Sequence, residues 1–234
     1  MMGHIGTRIQ LQGRVPRSAA GMSLALRPGM GGACGAGVQN DSRVRRVELA
    51  DGGSAELRVL EVGDRESFEA FHAGLSPETR FSRYFTSRPS LPDPELDRVT
   101  HAEPGRRVGL GAWVDGELVG HALYAALSEP GEAEVAFEVA DAHQGRGVGT
   151  ALFEELAVAA RRDGFRRFVA HVLLGNKRML EVFRNLGFAE RTTREGDVVR
   201  VEIDLDETRL HQAAARARAL HAALAFRERE EPPT

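Results

Sequence analysis

Cysteine is almost missing from this chain of 234 residues: Cys34 stands alone, which excludes an internal disulfide and any cysteine-rich metal site. Long apolar runs are missing too, none nearing the roughly 18 residues of a membrane-spanning helix. Lysine is scarce, since Lys177 is the only one among 31 basic residues; base composition accounts for that arginine bias. A formal net charge of −3 gives no whole-chain attraction to nucleic acid. What remains is ordinary: 42% hydrophobic and 28% charged residues, enough for one globular domain with extensions. These features fit a cytoplasmic protein with neither membrane nor nucleic acid as partner, and with no metal.

Residues 1–53 read as a disordered leader. The run Gly-Met-Gly-Gly-Ala-Cys-Gly-Ala-Gly at 29–37 has no periodicity and cannot bury enough apolar surface to offset the entropy of ordering. The segment also lacks the continuous apolar stretch of a secretory signal. The folded domain is expected over 54–206, opening with the alternating run Ala55-Glu56-Leu57-Arg58-Val59-Leu60. Asp64 reads as the N-cap of a helix that sends Phe68 and Phe71 inward. Ser76-Pro77 starts a second helix holding Phe81, Tyr84 and Phe85, and Asp93-Pro94 starts a short third one. Two strands, 108–114 and 117–127, flank Asp115-Gly116, a strong signal for a tight hairpin. From 207 to 234 the chain reads as a helical tail, with Leu210, Ala214, Ala217, Leu220 and Leu224 at near-helical spacing.

The informative stretch runs from Glu132 to Asp163. A strand-like run, Glu134-Val135-Ala136-Phe137-Glu138-Val139, leads into Gln144-Gly145-Arg146-Gly147-Val148-Gly149 and then a helix-like run. Alternation puts Val135, Phe137 and Val139 on one face of that strand, and Glu134, Ala136, Glu138 and Ala140 on the other. Val148, Leu152, Leu156 and Ala160 form one stripe of the helix, which Gly164 is placed to end. A strand, a glycine-rich turn and a helix N-terminus together make a phosphate cradle. A dinucleotide fold would need a third glycine where Thr150 stands, and a kinase-type loop would need Gly-Lys-Ser/Thr. Both are excluded. Farther on come a strand at 167–173, a helix from about Asn176 with Met179, Leu180 and Phe183 facing inward, and a last strand at 198–205.

The stretch from Glu132 through Phe188 resembles the core of the GCN5-related N-acetyltransferases, the GNAT family. Their signature Gln/Arg-x-x-Gly-x-Gly/Ala is matched by Gln144 to Gly149, and their later asparagine and Gly-Phe by Asn176 and Gly187-Phe188. A narrower resemblance, to bacterial Pat-type protein lysine acetyltransferases, lies in Gly74-Leu75-Ser76-Pro77-Glu78-Thr79-Arg80-Phe81-Ser82-Arg83-Tyr84-Phe85 and in Ala133-Glu134-Val135-Ala136-Phe137. Some Pat-type proteins carry a cyclic-nucleotide-binding or acyl-CoA-synthetase-like domain; the residues before the core here are expected to hold neither.

The resemblance implies an α+β fold, a mixed and mostly antiparallel sheet flanked by helices. It implies acetyl-CoA as co-substrate, held by Phe137, Val139, Gln144, Gly145, Arg146, Gly147, Val148, Gly149, Thr150 and Asn176. The acceptor amine must shed a proton before it attacks, because a lysine side chain is almost wholly protonated at neutral pH. Glu134 matches the strand position from which relatives supply the general base, with Glu138 as runner-up. Relatives use a tyrosine to protonate the leaving thiolate; the matching residue here is Phe183, which cannot. His143 and His171 lie near the motif and receive no role. The acceptor implied is a protein lysine. A small amine or amino-sugar, or a non-catalytic acetyl-CoA sensor, are the alternatives.

Overall fold

The computed structural model describes residues 44–186 and 190–205, together with Gln212. The leader up to residue 43, Gly187-Phe188 and the rest of the expected helical tail lie outside the described residues. Among the described residues eight strands form one sheet: β1 (Arg45–Glu48), β2 (Ser54–Val59), β3 (Arg107–Val114), β4 (Glu117–Ala126), β5 (Glu132–Val139), β6 (Arg167–Leu173), β7 (Glu190–Glu195) and β8 (Val198–Asp204). Their order is β1-β2-β3-β4-β5-β6-β8-β7. Every neighbouring pair is antiparallel except β5–β6, which is parallel. Five helices flank it: α1 (Arg65–Gly74), α2 (Pro77–Tyr84), α3 (Asp93–Thr100), α4 (Val148–Arg162) and α5 (Lys177–Asn185). The expected mixed, mostly antiparallel sheet with flanking helices is what forms.

Local chemistry explains most of these elements. Asp115 and Gly116 both take positive φ, 51° and 84°, so the β3–β4 turn has the twist that antiparallel strands need. One residue farther into β4 the register slips, leaving Val119 as a bulge opposite the Ala112–Trp113 step. Ser76 caps α2 by accepting the Thr79 N–H at 3.1 Å, with Pro77 in the first turn. Asp64 sits at the N-cap of α1 but does not cap it with its side chain. Its carboxylate instead accepts the Glu61 N–H and a two-pronged bond from Arg58 at 2.6 and 2.7 Å. A charged, bidentate partner outcompetes a neutral amide.

Two strands fall outside the sequence expectation. β1 lies within residues assigned to the leader, so the sheet starts earlier than residue 54. Its pairing with β2 from Arg45↔Leu57 to Glu48↔Ser54 and the burial of Leu49 tie it down. β7, Glu-Arg-Thr-Thr-Arg-Glu, has no apolar alternation because it is an edge strand paired on one side only, by β8.

The sheet separates two cores. On one face α4 and α5 bury Val148, Leu152, Phe153, Leu156, Ala160 and Phe183 against Leu110, Ala122, Tyr124, Val135 and Phe137. Each fully buried Leu or Phe side chain of α4 contributes about 1.5–3 kcal/mol. On the other face α1 and α3 bury Phe68, Phe71, Leu96 and Val99 against Leu60 and Leu118. Gly109 makes that closeness possible, since a Cβ there would lie 2.3 Å from the Val99 carbonyl oxygen.

Candidate active site

The parallel pair β5–β6 stays in register for three residues only, from Glu132↔Arg167 to Glu134↔Val169. Beyond that point β5 follows β4 as far as Val139↔Gly120, while β6 follows β8 as far as Leu173↔Val198. The two strands diverge, and a wedge opens in the sheet. Which backbone groups face it follows from alternation. The Ala140 N–H is donated to Val119 and the Glu132 carbonyl accepts from Leu127, both toward β4, whereas the Gly131 carbonyl accepts from Arg167 toward β6. The odd residues Val135, Phe137 and Val139 therefore direct their amides and carbonyls into the wedge.

The glycine-rich loop stands at the mouth of this opening. Gly145 and Gly147 take φ of 78° and 89°, a left-handed conformation that any side chain would strain. The first intrahelical bond of α4 runs from Ala151 N–H to the Gly147 carbonyl at 3.0 Å. The N–H groups of Val148, Gly149 and Thr150 thus have no acceptor within the helix. The first turn of α4 carries no acidic residue, so its positive dipole end is left for an anion. Gly149 serves by size: a Cβ there would sit 3.3 Å from the Phe137 ring, pushing α4 away from β5.

Three of the motif's side chains are committed within the protein. Gln144 donates through Nε2 to the Val139 carbonyl at 3.1 Å and to Thr79 Oγ1 at 3.3 Å, and accepts from Arg178 at 3.0 Å. Arg146 turns away from α4: it pairs with Asp51 and donates to His143 Nδ1 at 2.6 Å, while its carbonyl accepts the Ala50 N–H. The β1–β2 turn therefore braces the loop, a contact no local sequence signal announces. Asn176 caps α5 by accepting the Met179 N–H at 3.1 Å, which leaves its amide group to donate elsewhere.

The two candidate carboxylates have separate environments on the face opposite α4. Glu138 is buried, its side chain 1% exposed. It lies directly across from His121, which is fully buried, with 3.6 Å between Nδ1 and Oε1. The Tyr84 hydroxyl donates to it at 3.3 Å. Burial alone would raise the Glu138 pKa, but His121, Arg83 and His72 outweigh it and hold the carboxyl below its ordinary value. Burial is also the largest influence on His121 and lowers it, against the opposing pull of Glu138. Burial, then the Glu138 charge, raises the Tyr84 hydroxyl well above its usual range. Glu134, by contrast, is 18% exposed, with His171 Nδ1 3.4 Å from its Oε1. It sits at the last paired position before the wedge.

Phe183 is buried against Phe137 and Phe153, ring centroids 5.7 Å from each, so the position where relatives place an acid belongs to the core. The chain's two tyrosines are both bound to carboxylates, Tyr84 to Glu138 and Tyr124 to Asp163.

A diverging parallel pair beside a glycine loop and a bare helix N-terminus is the arrangement the motif anticipates, and comparison with known proteins agrees. A model of the acetyltransferase (GNAT) family matches residues 73–188. An acetyltransferase of Pseudomonas aeruginosa is 34% identical over 157 residues, 65% of this chain and 83% of that protein. The chain belongs to the GNAT family of acetyltransferases. It is accordingly an acetyl-CoA-dependent N-acetyltransferase. The crystal structure of the GNAT domain of S. lividans PAT is 40% identical with a TM-score of 0.65, over 69% of this chain and 96% of that one. A GNAT-fold protein from Salmonella typhimurium, solved with acetyl-CoA, shares the fold at 22% identity and a TM-score of 0.53, over 66% of this chain and 96% of that one. Acetyltransferase Pat of Mycolicibacterium smegmatis is 42% identical over 73 residues, 31% of this chain but only 22% of that longer protein.

Among the described residues no helix is long and apolar enough to cross a membrane. Sequence reasoning missed Asp51, the bracing partner of Arg146, and the link of Asp141 to α2. It also missed the pairing of His121 with Glu138, which depends on cross-strand register.

Proposed function

We propose that this GNAT acetyltransferase acetylates lysine side chains of proteins in the cytoplasm, with Glu134 as general base. The carrying observation is the contrast between the two carboxylates. Glu134 is partly exposed beside the wedge on the face away from α4, while Glu138 is buried beside His121 and accepts from Tyr84. A base must reach the proton it removes, and Glu134 meets that requirement. Protein lysine as acceptor is supported by the Pat-type pattern over Gly74 to Phe85 and by the likeness to the S. lividans PAT domain. Phe81 on α2, 49% exposed, offers an apolar contact beside that face.

Acetyl-CoA supplies the reactive thioester when bound. The wedge-facing backbone of Phe137 and Val139 suits the amides of its pantetheine arm, and the amides of Gly145 to Thr150 suit its pyrophosphate. Asn176 can donate its side-chain amide to the arm. Gln144 serves by holding the Val139 carbonyl, α2 and α5 together, and Arg146 by fixing the loop through Asp51. Glu134 takes one proton from the acceptor ammonium, freeing the nitrogen lone pair for attack on the thioester carbon. With Phe183 unable to donate, the coenzyme sulfur would leave as the thiolate, a workable leaving group because a thiol, with a pKa of about 8.5, is a far stronger acid than an amine.

Purified protein incubated with labelled acetyl-CoA and a lysate should place label on protein lysines. Label only in a panel of small amines, or binding without any transfer, overturns the acceptor assignment. Glu134→Gln should lower turnover by about a hundredfold or more while acetyl-CoA binding stays within about twofold. Unchanged turnover across pH would remove Glu134 from the role.

A further inference from the structure

His171 lies two residues beyond the last β5–β6 pair, on the strand that forms the far rim of the wedge. In the register Glu134↔Val169, residue 171 is the diagonal neighbour of Glu134 on the same face. The side chains meet there, His171 Nδ1 at 3.4 Å from Glu134 Oε1, and the imidazole is 32% exposed. One end of the ring thus touches the carboxylate and the rest reaches water. We propose that His171 is a positioning residue that takes the proton from Glu134 and hands it to solvent. The proposal rests on the reading of Glu134 as base.

The groups around the ring suit that task. Glu134 faces it from β5, and Glu132 beyond is engaged by Arg167 at 2.8 Å. From β8, Arg200 is the directly paired residue and Glu202 lies one pair away on the same face. Arg200 is held in an ion pair with Glu202, which also faces Arg167 at 3.7 Å. The cation nearest His171 is therefore neutralised by its own partner, and Glu134 is the carboxylate in contact with the ring. An imidazole is a stronger base than a carboxylate, and histidine is the side chain that exchanges protons readily near neutral pH.

The protons balance as follows. One leaves the acceptor ammonium for the Glu134 carboxylate, passes to His171 Nδ1, and is released to water from the imidazolium, restoring both side chains. The C–N bond then forms and the C–S bond breaks, with the electron pair going to sulfur. The second nitrogen proton ends on that sulfur. The sum is an amide, a thiol and one solvated proton.

Five proteins test this: wild type, E134Q, H171Q, the E134Q/H171Q double variant and H171A, assayed with acetyl-CoA and the best acceptor found. Glutamine at 171 keeps a hydrogen-bond donor for Glu134 but cannot carry the proton. H171Q should lose about tenfold in kcat, with KM for acetyl-CoA unchanged. The same substitution in the E134Q background should cost nothing more. H171A should be equally slow and recover turnover with added imidazole. Wild-type kcat in H171Q, an undiminished loss in the E134Q background, or no imidazole rescue would each overturn the role of His171. Loss of turnover in E134Q alongside a normal H171Q would leave the base reading standing. A normal E134Q would remove the base reading and, with it, the proton path. Melting curves of all variants confirm folding, expected for a side chain this open.

Discussion

Glu134 and Glu138 are four residues apart on one strand face, yet their surroundings differ, and the proposed mechanism gives chemistry to one and stability to the other. Glu138→Ala measures that division. The carboxylate is 1% exposed and its partner His121 0% exposed. Truncation removes four buried heavy atoms and leaves the Tyr84 hydroxyl without its acceptor and His121 without the carboxylate 3.6 Å away. Leaving two buried polar groups without a partner costs about 1–3 kcal/mol each. For a domain of this size each kcal/mol moves Tm by about 2–4 °C, so Glu138→Ala should melt roughly 4–24 °C below wild type. Glu138→Gln keeps the shape and one acceptor oxygen but buries an amide without an acceptor, a cost of about 1–3 kcal/mol. Glu134→Gln, partly exposed and 3.4 Å from His171, should cost about 1 kcal/mol or less. The pH dependence has a definite sign. The folded-state pKa values of His121 and Glu138 are both lowered, so their contributions are present above the ordinary values and lost as pH falls. Wild-type stability should decline below about pH 6.5 through His121 and further below about pH 4.5 through Glu138. Glu138→Ala should lack the second part. Scanning calorimetry across pH reads all of this. A Glu138→Ala melt within about 2 °C of wild type, or a Glu134→Gln melt as low as that of Glu138→Ala, would refute the division.

Gly147→Ala should weaken coenzyme A binding severalfold. A Cβ at φ 89° costs about 1–2 kcal/mol, and relief of that strain shifts the loop that presents its amides; calorimetric titration with coenzyme A checks it. Asp141→Ala removes the carboxylate that accepts the Ser76 N–H at 2.9 Å and the Ser76 and Thr79 hydroxyls at 2.8 and 2.7 Å. With the start of α2 loosened, KM for the acceptor should rise more than KM for acetyl-CoA, and a steady-state KM–kcat split for both substrates decides it.

Elements with a strong internal signal were readable in advance. The α4 stripe of Val148, Leu152, Leu156 and Ala160 is buried as its spacing demands. The Asp-Gly turn, the Ser76 cap and the alternation of β5 likewise express local rules. β7 was not readable, because an edge strand of charged and hydroxyl residues has no apolar face to reveal it. β1 was not, because a four-residue strand is held by its partner β2 more than by its own propensity. Asp64 looked like a cap but found Arg58, six positions away in sequence.

Sequence alone therefore determined the donor side of this enzyme. A strand, three glycines and a helix start are contiguous, and the backbone geometry they impose is local. Tertiary structure alone separates the surroundings of the two candidate carboxylates. Glu134 and Glu138 are equivalent by alternation. What separates them is which neighbour each meets: His121 across an antiparallel register and Tyr84 from α2 for Glu138, or a diverging parallel strand and His171 for Glu134. Proton chemistry depends on burial and on partners distant in sequence, and only the folded sheet supplies both.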